Sequence, residues 1–190
     1  GFMSCGAPRN IIKGMTEIGF KDLTIISSDT GRPNDGTGRL ICNKQASKLI
    51  ASHIGLNPVT GSQMNSGELE VDLVPQGTLV ERIRAAGAGL GGFLTPTGIG
   101  TVVEEGKEKL EINGEEFLLE LPLNADIALV KAWKADKKGN LLYSKSARNF
   151  NPLMAMAADI VIVEAEEIVE VGELDPDQVM TSSIFVDYIV

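Results

Sequence analysis

"ADIALVKAWKAD", residues 125–136, and "ADIVIVEAEEIVEVG", residues 158–172, are the two runs from which the fold is read. Their near-continuous Ala, Ile, Leu and Val positions depart from the alternation of a half-solvated strand and predict strands of a sheet covered on both faces. "NFNPLMAMAAD" lies between them, with Pro152 where a short helix starts. Toward the N-terminus, "KLEINGEEFLLELP" (109–122) predicts a hairpin around Asn113-Gly114, because a type I′ turn needs positive φ at both central residues and Asn-Gly tolerates it best. "DLTIISSD" (22–29), "SKLIASHIG" (47–55) and "LEVDLVPQG" (69–77) predict three more strands. The first delivers the chain into a polar turn region, "DTGRPNDGTG", and a loop with Pro58 and Gly61 joins the other two. "CGAPRNIIKGMTEIG" reads as a helix entered near Pro8 and closed by Gly19. "TLVERIRAAG" (78–87) reads as another, with Thr78 as N-cap, Glu81 as its capping-box partner, and Leu79, Arg82 and Ile83 on one face. Strands interleaved with helices and turns make an α/β layered domain. No repeat, heptad or low-complexity linker interrupts it, so residues 1–190 read as a single domain.

Composition narrows the function. At 190 residues and 43% hydrophobic the chain has enough apolar material for a proper core. Its net charge is −9 and its cations are scattered, so no basic stripe offers a nucleic-acid backbone counterion-releasing contacts, and an anionic membrane is equally disfavoured. No apolar run approaches the ~20 residues of a membrane span. Cys5 and Cys42 are too few for a disulfide framework, and with the lone His53 they complete no zinc site, so reduced thiols and a cytoplasmic setting are expected. The chain opens on Gly1-Phe2 without an initiator methionine, which reads as a fragment lacking native N-terminal residues, the strand before the first glycine loop among them.

"GAGLGGFLTPTGIGT" (87–101) is the first site candidate, because clustered glycines allow positive φ and close backbone approach at an entropic cost. Gly87, Gly89 and Gly92 spell G-x-G-x-x-G, yet a helix precedes them and Pro96 blocks one from opening afterwards, so the dinucleotide fingerprint fails. No P-loop motif is present. His53 lacks a nucleophile elbow or sequence partner and reads as a loop-orienting histidine. Glu104 and Glu105 fit an exposed charged turn better than a general base, and Glu164, Glu166, Glu167 and Glu170 read as a solvated acidic edge. Arg148, Asn149 and Asn151 around Phe150 either hold loops or face a partner. Gln76-Gly77 leave a strand where open α/β sheets place ligand contacts.

"GFMSCGAP", "ELEVDLVPQGTLVERIRAAGAGLGGFLTPTGIGTVVEEGK", "ADIALVKAWKADKKGNLLYSKSARNFNP" and "GELDPDQV" together resemble the alpha subunit of the family I coenzyme A transferases, the 3-oxoacid, acetate/acetoacetate and butyrate/acetoacetate enzymes. The resemblance covers residues 1–190 and implies a three-layer α/β/α fold and a partner beta subunit in an alpha2beta2 assembly. It places a glycine loop that meets coenzyme A at Gly1, Phe2, Met3, Ser4, Cys5 and Gly6. It also makes Gly91, Gly92, Phe93, Thr95 and Pro96 a wall of the substrate cleft, and Gln76 and Gly77, from their place at a strand exit, are taken with them as substrate-binding residues. The family's nucleophilic glutamate sits in a Ser-Glu-Asn-Gly motif of the beta subunit, and this chain has no such tetrapeptide. The resemblance therefore implies no catalytic residue here, no metal, and no permanently bound cofactor, with coenzyme A arriving as acyl-CoA. Near the C-terminus the family carries glycine after Thr-Pro, whereas Thr181 is followed by Ser182 and Ser183. Residue chemistry alone leaves two other readings: a ligand-sensing or sugar-phosphate isomerase-like module, and a subunit whose loops serve assembly only.

Overall fold

The computed structural model describes residues 2–190, so Gly1 lies outside the described residues. In chain order the elements are α1 (Arg9–Ile18), β1 (Leu23–Asp29), α2 (Thr37–Cys42), β2 (Ala46–His53), α3 (Pro58–Ser66), β3 (Glu70–Leu73) and α4 (Gln76–Gly87). There follow β4 (Phe93–Thr95), β5 (Lys109–Ile112), β6 (Glu115–Glu120), β7 (Ala125–Asp136), β8 (Leu141–Leu142), α5 (Asn151–Met156), β9 (Ala158–Val169) and β10 (Tyr188–Ile189).

β1, β2 and β3 form a parallel sheet with β2 in the middle. Consecutive strand residues point to opposite faces, and β2 shows the consequence. Leu49 and Ala51 pack with Ile12 of α1 and Leu40 and Ile41 of α2, while Ile50 packs with Leu79 and Ile83 of α4 and with Phe150. Helices thus cover both faces, which is the three-layer α/β arrangement.

β7 and β9 run parallel, with β10 beside β9 and β8 beside the far end of β7. Ala128, Val130, Val161 and Val163 bury one face beneath Ala155 of α5. The other face departs from the expectation of two-sided cover: α1 reaches Leu129, whereas Ile127 is 51% exposed and Ile160 40%. A cleft of about 690 Å³ separates β1 from β7, between residues 22–29 and 124–129. Along it β1 has β2 as its partner on one side, and β7 meets β8 at Lys134 and Ala135, so among the described residues two strand edges face one another unpaired.

Residues 88–121 leave this body as a flap built on the antiparallel sheet β4-β6-β5. Its hairpin turns where the sequence places it, with Asn113 at φ 54° and Gly114 at φ 82°.

One helix replaces an expected loop, and another fills a stretch to which the sequence assigns no element. α3 occupies the Pro58–Gly61 region, with Asn57 accepting from Val59 N and Gly67 closing it at φ 75°. α2 follows the polar turn region and is held by buried Leu40 and Ile41. α4 begins at Gln76 rather than Thr78: Pro75 is the N-cap residue, the Thr78 hydroxyl is buried without a partner, and Glu81 pairs with Arg84. Near the C-terminus Thr181 Oγ1 lies 2.7 Å from the buried Tyr143 hydroxyl and Ser182 caps the next turn, so the departure from glycine there is accommodated.

Candidate functional site

The first glycine loop sits over the carboxyl ends of the parallel strands. Phe2–Ser4 form a 3₁₀ turn in which Met3 (φ 54°) and Ser4 (φ 60°) both hold left-handed backbone, uncommon for non-glycine residues. Neighbouring groups enforce that conformation. Asp29, the last residue of β1 and 2% exposed, accepts Met3 N on Oδ2 at 2.5 Å and Gly31 N on Oδ1 at 2.6 Å. Buried Asn151 donates to Gly6 O at 3.1 Å and to Ala147 O at 2.7 Å, and accepts Lys131 N. A Cβ at Gly6 would stand 2.7 Å from Asn151 Nδ2, so glycine is required there by both space and its φ of 73°. The loop's outer surface stays free, with Phe2 45% and Met3 52% exposed. The Phe2 ring meets the His53 ring at 5.7 Å, at the end of β2.

α1 descends from this loop with a borrowed cap. Asn10 N (2.7 Å) and Ile11 N (3.1 Å) donate to Glu164 Oε2, and Lys131 Nζ lies 3.3 Å from Oε1. Glu164 is thus buried at 5% exposure, not part of a solvated edge. Because its carboxylate already holds those N–H groups, the α1 N-terminus offers no free anion site. Arg9 is engaged by both oxygens of Asp35.

Gln76 joins the first loop's edge of the sheet: its Nε2 reaches Ser28 Oγ at 3.4 Å, and the Ser28 carbonyl accepts from Ser52. Gly77 lies beside it in α4 with open space around its Cβ position. The second glycine stretch begins at the opposite end of α4, on the order of 16 Å along the axis. The structure therefore groups Gln76 and Gly77 with residues 2–6, and sets Gly91, Gly92, Phe93, Thr95 and Pro96 apart in the flap. Gly92 has φ 155°, and a Cβ there would stand 2.8 Å from the Glu120 carbonyl, so the close approach of β4 to β6 accounts for its bareness. Gly91 has nothing within 4 Å. Phe93 and Thr95 are half-buried strand residues, and Pro96 is exposed.

Glu104 belongs to the turn of this flap. Gly100 N donates to it and Lys109 pairs with it, and these two hold its carboxyl below the ordinary glutamate range, the opposite of a general acid. Arg148 and Asn149 are exposed beside the first loop, where Ser146 Oγ lies 3.2 Å from Cys5 Sγ. Asp29, Glu164 and Glu120 are the residues that sequence reasoning missed or misplaced. Only Asp29 carried a signal, as an acid closing an apolar strand.

A family model described as coenzyme A transferase matches residues 1–190. The chain is 56% identical over 190 residues to the acetate CoA-transferase subunit alpha of Escherichia coli K12, spanning all of this chain and 86% of that one. It is 55% identical to the acetoacetyl-CoA:acetate/butyrate CoA transferase alpha subunit of Clostridium acetobutylicum, again over its whole length and 87% of the relative. Among solved structures, the thioester complex with CoA of an acyl-CoA transferase from E. coli O157:H7 matches with a TM-score of 0.81 at 21% identity, over 95% of this chain and 40% of that one.

Proposed function

The chain belongs to the coenzyme A transferase family as an alpha-type subunit, and from that premise we propose that it moves coenzyme A between a short-chain acyl-CoA and a carboxylate such as acetate or acetoacetate. The donors in this reading are acetyl-, succinyl- or butyryl-CoA. The observation that carries it is identity above half, over the whole chain, to two alpha subunits named for that chemistry. In this reading the nucleophilic glutamate belongs to a beta subunit, supported by the lack of a Ser-Glu-Asn-Gly tetrapeptide within residues 1–190.

In this mechanism the beta-subunit carboxylate attacks the thioester carbonyl, the C–S bond breaks, and an acyl-glutamyl anhydride and CoA thiolate form. The thiolate attacks the glutamyl carbonyl, expels the donor's carboxylate and leaves a glutamyl-CoA thioester, which the acceptor carboxylate opens by the reverse sequence. This chain supplies binding surface. Residues 2–6 meet coenzyme A on a loop already fixed by Asp29 and Asn151, so little conformational entropy is lost on binding, and the resemblance adds Gly1 to the same contact. Gln76 and Gly77 extend that surface, and Gly91, Gly92, Phe93, Thr95 and Pro96 form a wall of the acyl cleft. The two groups lie at opposite ends of α4, so a ligand spanning both is elongated, as coenzyme A is. We place the assembly in the cytoplasm as alpha2beta2, supported by the free Cys5 and Cys42 and by the apolar sheet face around Ile127 and Ile160.

The test is purification with and without the beta subunit, an acyl-CoA and acceptor panel, and intact-mass analysis after acyl-CoA alone. Turnover is expected from the complex only, with a CoA adduct on the beta chain. Turnover or an adduct on the isolated chain would overturn the division of labour and return Glu104 and Glu105 to candidacy.

A further inference from the structure

Within residues 88–121, Leu118 and Glu120 are the buried side chains, and Leu118 joins none of the three apolar clusters of the body. The flap therefore has almost no hydrophobic anchorage, and Arg82 of α4 makes the polar contacts to the end of β6, donating to Leu121 O and facing Glu120, which Lys107 braces from within the flap. Glu120 is 2% exposed; its Oε1 receives Lys107 Nζ at 2.5 Å and its Oε2 lies 4.0 Å from Arg82 Nε. The same Arg82 Nε donates to Leu121 O at 3.0 Å, and the Arg82 carbonyl accepts Leu123 N at 3.0 Å. Three elements meet at this node: α4 through Arg82, the turn before β5 through Lys107, and the end of β6 through Glu120. Glu120 also pairs directly with Phe93 across the β4–β6 ladder, and its carbonyl packs against Gly92. Any shift of Glu120 passes straight to the strand that presents Phe93 and Thr95.

We infer that Glu120, with Arg82 and Lys107, is a positioning residue that sets the flap against α4 and thereby fits Phe93 and Thr95 to the acyl-CoA and carboxylate substrates. The inference rests on the reading of the flap as a wall of the cleft. Glu120 touches no substrate; its carboxylate pairs with Lys107 and faces Arg82 Nε at 4.0 Å, an attraction toward two cations that a neutral side chain of the same shape does not exert. Loss of the node lets the flap sample several angles, which weakens ground-state and transition-state binding alike and so raises KM rather than lowering kcat.

The experiment measures kcat and KM for acyl-CoA and for acceptor in the alpha–beta complex carrying Glu120→Gln, Arg82→Lys or Phe93→Ala. Amide exchange of Leu94 and Leu119 is followed alongside. Glu120→Gln is expected to raise KM about tenfold with kcat within about twofold, the signature of lost uniform binding, and to speed exchange in β4 and β6. Arg82→Lys, which keeps the charge, is expected between it and the unaltered enzyme. A purely structural role lowers melting temperature and active fraction and leaves KM where it was, which overturns the inference. If Phe93→Ala raises KM while Glu120→Gln and Arg82→Lys do not, positioning fails and the wall reading survives. If Phe93→Ala also leaves KM unchanged, the wall reading fails and the inference with it. Should Glu120→Gln yield no folded complex, Arg82→Lys and Lys107→Met decide, and unaltered KM in both rejects the proposal.

Discussion

Glu164 receives the backbone N–H groups of Asn10 and Ile11, so α1 is capped from β9, across a sequence separation of 154 residues. In the sequence this glutamate stands among Glu166, Glu167 and Glu170 and carries no mark that distinguishes it, because its partners are set by tertiary placement. The neighbours do what the pattern suggested: Glu167 and Glu170 pair with Lys134 and Lys137 near the surface. The buried member matters more. Glu164→Gln removes the charge that balances Lys131 and weakens two helix-cap hydrogen bonds, with partial relief from Glu166, 3.7 Å from Lys131 Nζ. Removing one partner of a buried pair costs about 3 kcal/mol or more, so the melting temperature of this chain is expected to fall by roughly 6–12 °C. Calorimetry of the isolated chain checks this. A shift under about 2 °C would mean that the carboxylate contributes geometry without net stability, as some buried pairs do.

Helices differ sharply in how far they announce themselves. α1 is legible from its ends, Pro8 and Gly19, and the helix closes on Gly19 at φ 79°. α3 carried comparable marks, Asn57-Pro58 before it and Gly67 after it, but Gly61 within it and the lack of an apolar stripe made "PVTGSQMNS" read as loop. Its buried side chains, Thr60 and Gln63, are polar, so a hydrophobic period could not reveal it. α4 was found with its start misplaced, because Ser/Thr-x-x-Glu is a strong capping signal and Thr78-Leu-Val-Glu81 satisfies it. Pro75 is the N-cap residue instead, and Thr78 is the third residue of the first turn, 3% exposed, its hydroxyl without a partner among the described residues. The two readings make opposite predictions for Thr78→Val, which preserves shape and deletes the hydroxyl. A capping threonine would lose about 1 kcal/mol, whereas an unsatisfied buried hydroxyl returns roughly 1 kcal/mol when removed. The urea midpoint of Thr78→Val is expected to rise, and a fall would restore the capping role.

At the scale of the molecule, the α/β layering was legible because β1, β2, β7 and β9 are apolar enough to declare themselves. The spatial separation of the two glycine stretches was not, since it depends on the direction in which α4 carries the chain. That separation gives each glycine a distinct meaning. Gly92 is bare because the Glu120 carbonyl stands 2.8 Å from where its Cβ would be, a reason internal to the chain. Gly91 adjoins it with open space on all sides and no positive φ, so nothing within the described residues forbids a side chain there. If the flap faces a substrate or the beta subunit, the reason for Gly91 lies outside this chain. Gly91→Ala is therefore expected to leave the melting temperature of the isolated chain unchanged to within about 1 °C, since surface changes without a buried contact stay near ±0.5 kcal/mol. In the alpha–beta complex the same methyl group is expected to cost about tenfold in kcat/KM or in the affinity of assembly, because a wall moved by about 1 Å disorders the reacting geometry. Steady-state kinetics and subunit titration on one preparation separate those two outcomes. Full activity with full assembly would show that Gly91 faces only solvent, and would leave Gly92 as the one glycine of the pair whose bareness has a cause.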